Sequence, residues 1–435
     1  MDGNSMAIFL LLGSFGLLIL LRVPIAYAVG AASALCCMYL KLPLTTICQM
    51  MVKGVNSFSL MAVPFFITMG VLMGSGGISE KLIGLANALV GWMRGGMAMV
   101  NIVASYFFGG ISGSAAADTA SLGTILIPMM VDQGYDADFS TAVTITSSCE
   151  GLLVPPSHNM IIYATTAGSI SVGSLFLAGY IPGAVLALSL MIGSYIIACK
   201  RNYPKGDRFD IRVFFRELGR SVWALAAVLI VVVGVVAGVF TATESAAIAV
   251  VYSMFVSVFI YKGLDLKGVW NALGEALDTL AIVLILIATS NVFGYLLTFL
   301  RVPNLAAGVI TSITDNPIIL ALMINGILLI LGCLMDMAPI ILIATPILLP
   351  LAQSIGIDPV QFGIIIVLNC GIGLLTPPGF CSQSRLTRGI LLLYYFIDGN
   401  DHKMRRFERD LNCWPQEKYI RGFDWRIIDG KENYD

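Results

Sequence analysis

The segment Gly151-Leu152-Leu153-Val154-Pro155-Pro156 returns at an offset of 222 as Gly373-Leu374-Leu375-Thr376-Pro377-Pro378. At the same offset and without a gap, Ile125-Leu126 meets Ile347-Leu348, Pro128 meets Pro350, Gly134 meets Gly356, Asp136 meets Asp358 and Gly110 meets Gly332. Ten of the 32 positions from 125 to 156 are identical to their partners, more than shared apolar composition gives. A double proline kinks or ends any helix that contains it, because it removes amide donors and clashes with the preceding turn. A chain with the same helix-breaking element twice, deep in apolar sequence, has the pattern of a secondary transporter built from two repeats.

The surrounding sequence fixes the solvent. The chain is 58% hydrophobic and only 12% charged, where a soluble domain carries roughly a quarter charged residues. Runs approaching the ~20 residues that cross a bilayer recur at 7–21, 24–40, 58–73, 97–108, 175–198, 222–239, 246–260, 280–300 and 318–334. The expected fold class is an all-α polytopic membrane protein, an inverted-repeat transporter with two re-entrant helical hairpins and two broken helices. The net charge of −1 says nothing about partners, since most of the chain faces lipid or itself.

The opening residues Met1-Asp2-Gly3-Asn4-Ser5-Met6 lack the positive region of a cleaved signal, so the first apolar run is expected to be retained. The densest basic stretch holds Lys200, Arg201, Lys205, Arg208, Arg212, Arg216 and Arg220 against Asp207, Asp210 and Glu217. By the positive-inside rule it is cytoplasmic, and it separates the two copies. The expected organisation is N-terminal scaffold helices at 1–57 and a first transport portion at 58–199, with a hairpin at 97–131 and a broken helix at 138–170. A linker at 200–220 and scaffold helices at 221–279 follow. The second transport portion is 280–378, with a hairpin at 316–353 and a broken helix at 359–378. A polar tail occupies 379–435.

In the first copy, Gly109-Gly110-Ile111-Ser112-Gly113-Ser114-Ala115-Ala116-Ala117-Asp118-Thr119-Ala120 interrupts an apolar stretch between two runs too short to span alone. Two half-length helices joined by such a tip make a re-entrant hairpin, tolerated at membrane depth only where protein or a wet cavity covers it. The break at Pro155-Pro156 frees carbonyls, and these with Ser and Thr hydroxyls are hard oxygen ligands suited to Na+. The helix start beyond it, near Ser157-His158-Asn159, offers free amides to an anion. Gly332-Cys333-Leu334-Met335-Asp336 and Asn369-Cys370-Gly371-Ile372-Gly373 supply the second tip and the second break.

Other roles stand beside these. Ser112 and Ser114 also suit close helix packing. Asp118 and Glu150 serve equally as helix caps, local partners or site groups. Asp336, an ionisable residue at a midplane tip, is expected to belong to the site. Glu244 is read as a structural group at a helix start, with Thr243 as cap. No C-x-x-C pair occurs among nine cysteines, and His158 and His402 are the only histidines. A zinc site or disulfide framework has no support, and an intramembrane enzyme would lack a placed nucleophile, base or metal set.

These stretches, together with Phe240-Thr241-Ala242-Thr243-Glu244, Met335-Asp336, and Thr345-Pro346, resemble the large membrane (M) subunit of tripartite ATP-independent periplasmic (TRAP) transporters. The likeness runs from about Met6 to Pro378. It implies a multi-pass protein of a bacterial inner membrane. Such a protein is an elevator-type carrier that takes an organic acid (a dicarboxylate, sialic acid or sugar acid) from a periplasmic binding protein. Sodium drives it, and a small four-helix Q subunit braces it. Carried onto this chain, the resemblance implies one Na+ region at Ser112, Ser114, Ser148 and Gly151 and a second at Gly332, Asp336, Cys370, Gly373 and Thr376. Substrate is implied near Ser157 and Asn159. No organic cofactor, catalytic residue or nucleic acid is implied.

After Pro378 the chain departs from the family pattern of another half-helix and a final span. Residues 381–435 hold 10 Lys and Arg and 9 Asp and Glu of the chain's 51 formal charges. The apolar run 391–397 is too short to span. So abrupt a change suggests a frameshift or truncation, and with it the alternative of a truncated non-functional remnant. Independently of the tail, a stand-alone anion symporter of a related family is a second alternative, separated by whether uptake depends on a binding protein.

Overall fold

The computed structural model describes residues 3–21, 23–168, 170–206, 208–303, 305, 308 and 316–376. The second double proline at 377–378 and the tail at 379–435 lie outside the described residues. The described chain is helical, with no strand beyond an isolated bridge between Arg94 and Lys205. Five of its helices are long and apolar enough to cross a membrane.

In chain order, α1 is Gly3–Leu20, α2 Ile25–Tyr39, α3 Leu44–Val55, α4 Ala62–Ser75 and α5 Ile78–Val90. The first hairpin is α6 Gly96–Ser112 with α7 Ala115–Asp132. Next come α8 Ala137–Ser148, the single turn α9 Glu150–Leu153, α10 His158–Ala167 and α11 Val172–Lys200. Then α12 spans Ile211–Val236, α13 Ala242–Phe255 and α14 Leu266–Phe299. The second hairpin is α15 Pro317–Leu334 with α16 Met337–Ser354, followed by α17 Pro359–Leu375. At 1.5 Å per residue the 29 residues of α11 reach ~44 Å, past the ~30 Å hydrocarbon core. The arms of the first hairpin, at 17 and 18 residues, reach only ~26–27 Å.

The repeat holds at the level of helix ends. Both ends of α16 sit 222 residues after both ends of α7, and α17 begins and ends 222 residues after the starts and ends of α8 and α9. The caps match too: Ser114 pairs with Asp336, and Asp136 with Asp358. Pro128 and Pro350 lie inside α7 and α16, where neighbouring helices re-satisfy the freed backbone.

Polar seams hold each hairpin to the helix behind it. Asn101 donates to the Thr144 hydroxyl at 2.6 Å, Ser147 donates to Asn101 Oδ1 at 3.3 Å, and Ser105 lies 3.0 Å from Ser147. In the second half Asn369 donates to Asn325 Oδ1 at 2.6 Å. In apolar surroundings an unmade bond of this kind costs ~1–3 kcal/mol, so each seam fixes a helix register.

Three expectations are corrected. The basic stretch 200–220 is a loop only to Asp210, whose carboxylate caps α12 by accepting from the Arg212 amide at 2.8 Å. The boundary at 279/280 falls inside α14, because Leu, Lys, Ala and Glu through 266–280 are strong helix formers whatever their polarity. Thr241 caps α13 in a capping box with Glu244, while Thr243 turns inward to donate to the Phe58 carbonyl at 3.1 Å. The two-residue slip arises because both threonines sit ahead of the same acidic residue.

The linker straps the first hairpin's outer end. Gly95 N–H donates to the Pro204 carbonyl at 3.0 Å, and Arg201 contacts Asp136 at 2.7 Å. Tyr203 donates to Asp136 Oδ2 at 2.6 Å, with its ring 4.5 Å from that of Tyr135.

Candidate functional site

The first tip is made by three residues with different duties. Ser112 closes α6, Gly113 turns the chain in the left-handed region at φ +60°, and Ser114 caps α7 by accepting from Ala117 N–H at 3.4 Å. The Ser112 hydroxyl donates to Asp118 Oδ1 in a short bond and accepts from Ser114 N–H at 3.2 Å. Asp118 is fully buried, and its other oxygen has no hydrogen-bond partner among the described residues. That oxygen lies over Gly151, where any Cβ would strike it, and Gly109 packs Cα to Cα on the other side. Glycine at 109 and 151 is therefore what lets the tip reach the helix behind it.

The break lies against this tip. After α9 the chain is extended at Val154, passes the cis Pro155–Pro156 bond and restarts at Ser157, the N-cap of α10. A Cβ on Gly113 would stand 3.1 Å from Ser157 Cα, and Asn159 Nδ2 donates to the Gly113 carbonyl at 3.2 Å. Glu150 and Ser157 are fully buried. Both Glu150 oxygens, Ser157 Oγ and His158 Nδ1 lack partners among the described residues. The Ser148 hydroxyl is engaged, donating to the Thr144 carbonyl at 2.6 Å and lying 2.7 Å from the Thr119 hydroxyl. Ser112, Ser114, Gly151, Ser157 and Asn159 thus gather at one junction, with Ser148 on its flank.

The second half repeats the backbone contact with different side chains. A Cβ on Gly373 would stand 2.6 Å from Gly332 Cα, and one on Gly332 would stand 3.2 Å from Cys370 Cα. Thr376 donates to the Gly373 carbonyl at 2.7 Å and meets the Cys333 thiol. Gly332, Cys370, Gly373 and Thr376 are brought together. Asp336 joins them through charge: it lies near enough to Cys370 to act on that thiol, and its carboxylate accepts from Met337 N–H at 2.8 Å as the cap of α16. The two halves meet where α9, α10 and α11 pack on α17 and α10 packs on α16.

Paired hairpins, each seated on a helix through a glycine–glycine contact, agree with what the comparisons find. Residues 12–382 match the family model of the tripartite ATP-independent periplasmic transporter, DctM component. The chain belongs to this family. It is 42% identical over 375 residues to YgiK of Salmonella typhimurium, covering 85% of this chain and 86% of that protein. It is 39% identical over 356 residues to the sialic acid TRAP transporter large permease protein SiaM of Vibrio cholerae, covering 79% and 83%. Among solved structures, the YdaH transporter of Alcanivorax borkumensis superposes with a TM-score of 0.54 at 15% identity, covering 79% of this chain and 81% of that one. That likeness bears on fold alone. The DctM component is a transporter subunit and not an enzyme, and it is a multi-pass protein of the inner membrane.

Within this DctM component, the structure adds residues that the implied ligand sets leave out. Asp118 and Glu150 are the buried carboxyls of the first junction, Thr119 is the partner of Ser148, and Cys333 is the partner of Thr376. The signal for the carboxyls was present in the sequence, since an ionisable residue in apolar sequence is a site candidate by default. Nothing in the sequence marked Thr119 or Cys333, because their importance comes from facing another helix.

Proposed function

We propose that this chain is the membrane carrier of a binding-protein-dependent importer of an organic acid, driven by Na+ through an elevator movement of the hairpin-bearing portions. A small four-helix membrane subunit and a periplasmic binding protein are its partners. The observation that carries this reading is Asp118: a fully buried carboxyl with one oxygen on Ser112 and the other without a partner. No Lys or Arg pairs with it among the described residues. A buried unpaired carboxylate costs several kcal/mol, which a Na+ ion held with hydroxyl and carbonyl oxygens would offset. Across the junction, the start of α10 at Ser157 and Asn159 presents amide dipoles suited to a carboxylate. Cation and carboxylate side by side make the occupancy of each favour the other, which is what coupling requires. The organic-acid class is supported by the sialic acid named for the Vibrio cholerae relative.

The test is uptake into proteoliposomes holding this chain, its small subunit and the cognate binding protein. An inward Na+ gradient should drive accumulation of the bound acid. Equal uptake with K+ replacing Na+, or without the binding protein, would reject the reading.

A further inference from the structure

The cytoplasmic base of the first hairpin holds a cavity of about 800 Å3, between α5, the start of α6, the end of α7 and the linker. It lies at the opposite end of the hairpin from the tip, and the proposed transport reaction makes no use of it. We propose that this cavity binds an anionic phospholipid of the cytoplasmic leaflet, its phosphate held by Lys205 and Arg208.

Charge accounting points to an anion. Of the seven cations between 200 and 220, Arg201 is paired with Asp136 and Asp138, and Arg216 and Arg220 share Glu217. Lys200, Lys205, Arg208 and Arg212 form no ion pair among the described residues. Lys205 and Arg208 line the cavity. Among the described residues two acids line it as well, Glu80 and Asp210, and the Asp210 carboxylate is turned to the Arg212 amide as the cap of α12. A basic pocket between membrane helices on the cytoplasmic side is the setting in which lipid phosphates are held.

The walls point to a lipid rather than a free anion. Met97 and Val100 on α6 and Ile125 and Met129 on α7 give the cavity an apolar side fit for the first carbons of an acyl chain. Trp92 and Phe209, which line the cavity, are 42% and 49% exposed, and Ile211 and Phe215 at the start of α12 are 52% and 62% exposed, interleaved in sequence with Arg208 and Arg212. Aromatic and aliphatic residues interleaved with Lys and Arg are the composition of a membrane–water boundary. The linker that carries Lys205 is tied to the hairpin through Gly95 and Pro204, so the cations are presented by a fixed backbone.

Native mass spectrometry of the purified full chain tests this, with phosphatidylglycerol, phosphatidylcholine and inorganic phosphate as probes. Phosphatidylglycerol should be retained in preference to phosphatidylcholine. The double variant Lys205→Gln, Arg208→Gln should weaken that retention roughly tenfold or more. Met129→Trp, which fills the apolar side, should weaken it without touching a charge. Arg216→Gln with Arg220→Gln removes the same charge outside the cavity and should leave retention near the parent level. Equal retention of the two lipids, no loss in either cavity variant, or an equal loss in the control pair would overturn the proposal. Displacement of the lipid by inorganic phosphate would overturn it in favour of a soluble anion.

Discussion

The Cys149 thiol donates to the carbonyl of Gly371 at 3.3 Å, and each residue is the other's counterpart at offset 222. The two copies therefore touch at matching points, the junction of α8 and α9 on one side and α17 on the other. Gly371 is small because Leu152 lies beyond it, 3.2 Å from where a Cβ would stand. Gly371→Leu should overpack this crossing and lower stability by ~1–3 kcal/mol. Cys149→Ser, which keeps a donor, should cost less than Cys149→Val. Thermal unfolding of the detergent-solubilised chain reads both comparisons.

Glycines of the second hairpin and of the helix behind it should differ sharply in tolerance. Gly373→Ala places a methyl 2.6 Å from the Gly332 Cα, and backbone cannot turn aside as a side-chain end can. Gly326, on α15 of the hairpin that Gly373 packs against, has nothing within 4 Å of its Cβ position. Gly326→Ala should be neutral or stabilising by up to ~1 kcal/mol, since alanine restricts the unfolded chain. Gly373→Ala should destabilise and reduce uptake. Similar melting temperatures for the two variants would sink the close-approach account.

Periodicity and breakers carried most of the architecture. Helix ends of the second copy follow those of the first because caps and prolines recur at one offset, a signal independent of packing. Element edges set by composition were less legible: α14 runs on through a polar face, and α12 starts inside the charged stretch, because propensity continues where hydrophobicity stops. At the site, Ser112, Gly151 and Gly373 were readable as small residues at breaks. Asp336 was readable as an ionisable residue at a tip, and the structure adds that its carboxylate caps the helix start there. Thr119 and Cys333 were invisible, since their partners, Ser148 and Thr376, lie 29 and 43 residues away.

The linker strap should show in the pH dependence of stability. Hydrogen bonding from Tyr203, and secondarily Arg201, holds the Asp136 carboxyl below its ordinary value of 3.8. A depressed folded-state value stabilises the protein above the unfolded value, and that stabilisation is lost as pH falls through the folded one. Tyr203→Phe should therefore melt lower than the parent near pH 7, by no more than ~1 kcal/mol for a partly exposed group. The gap should narrow below pH ~4. A gap independent of pH would assign the effect to ring packing against Tyr135 instead.

Asp336 separates capping from ion binding. Its carboxylate caps α16, as Ser114 caps α7 in the first copy, so Asp336→Asn and Asp336→Ser should both keep the helix start and the fold. Asp336→Ala removes the cap and should cost ~1 kcal/mol of stability. If the charge at this tip also serves Na+, then Asn and Ser variants fold normally yet need more Na+ for half-maximal uptake. Loss of one charge-assisted contact, ~1.5–3 kcal/mol, corresponds to at least about tenfold. Asp118→Asn supplies the comparison, because its carboxyl is buried on Ser112 and should lose Na+ dependence more completely. Sodium titrations of uptake on the three Asp336 variants decide the matter. An unshifted half-maximum in Asp336→Asn would leave that residue with a structural duty alone.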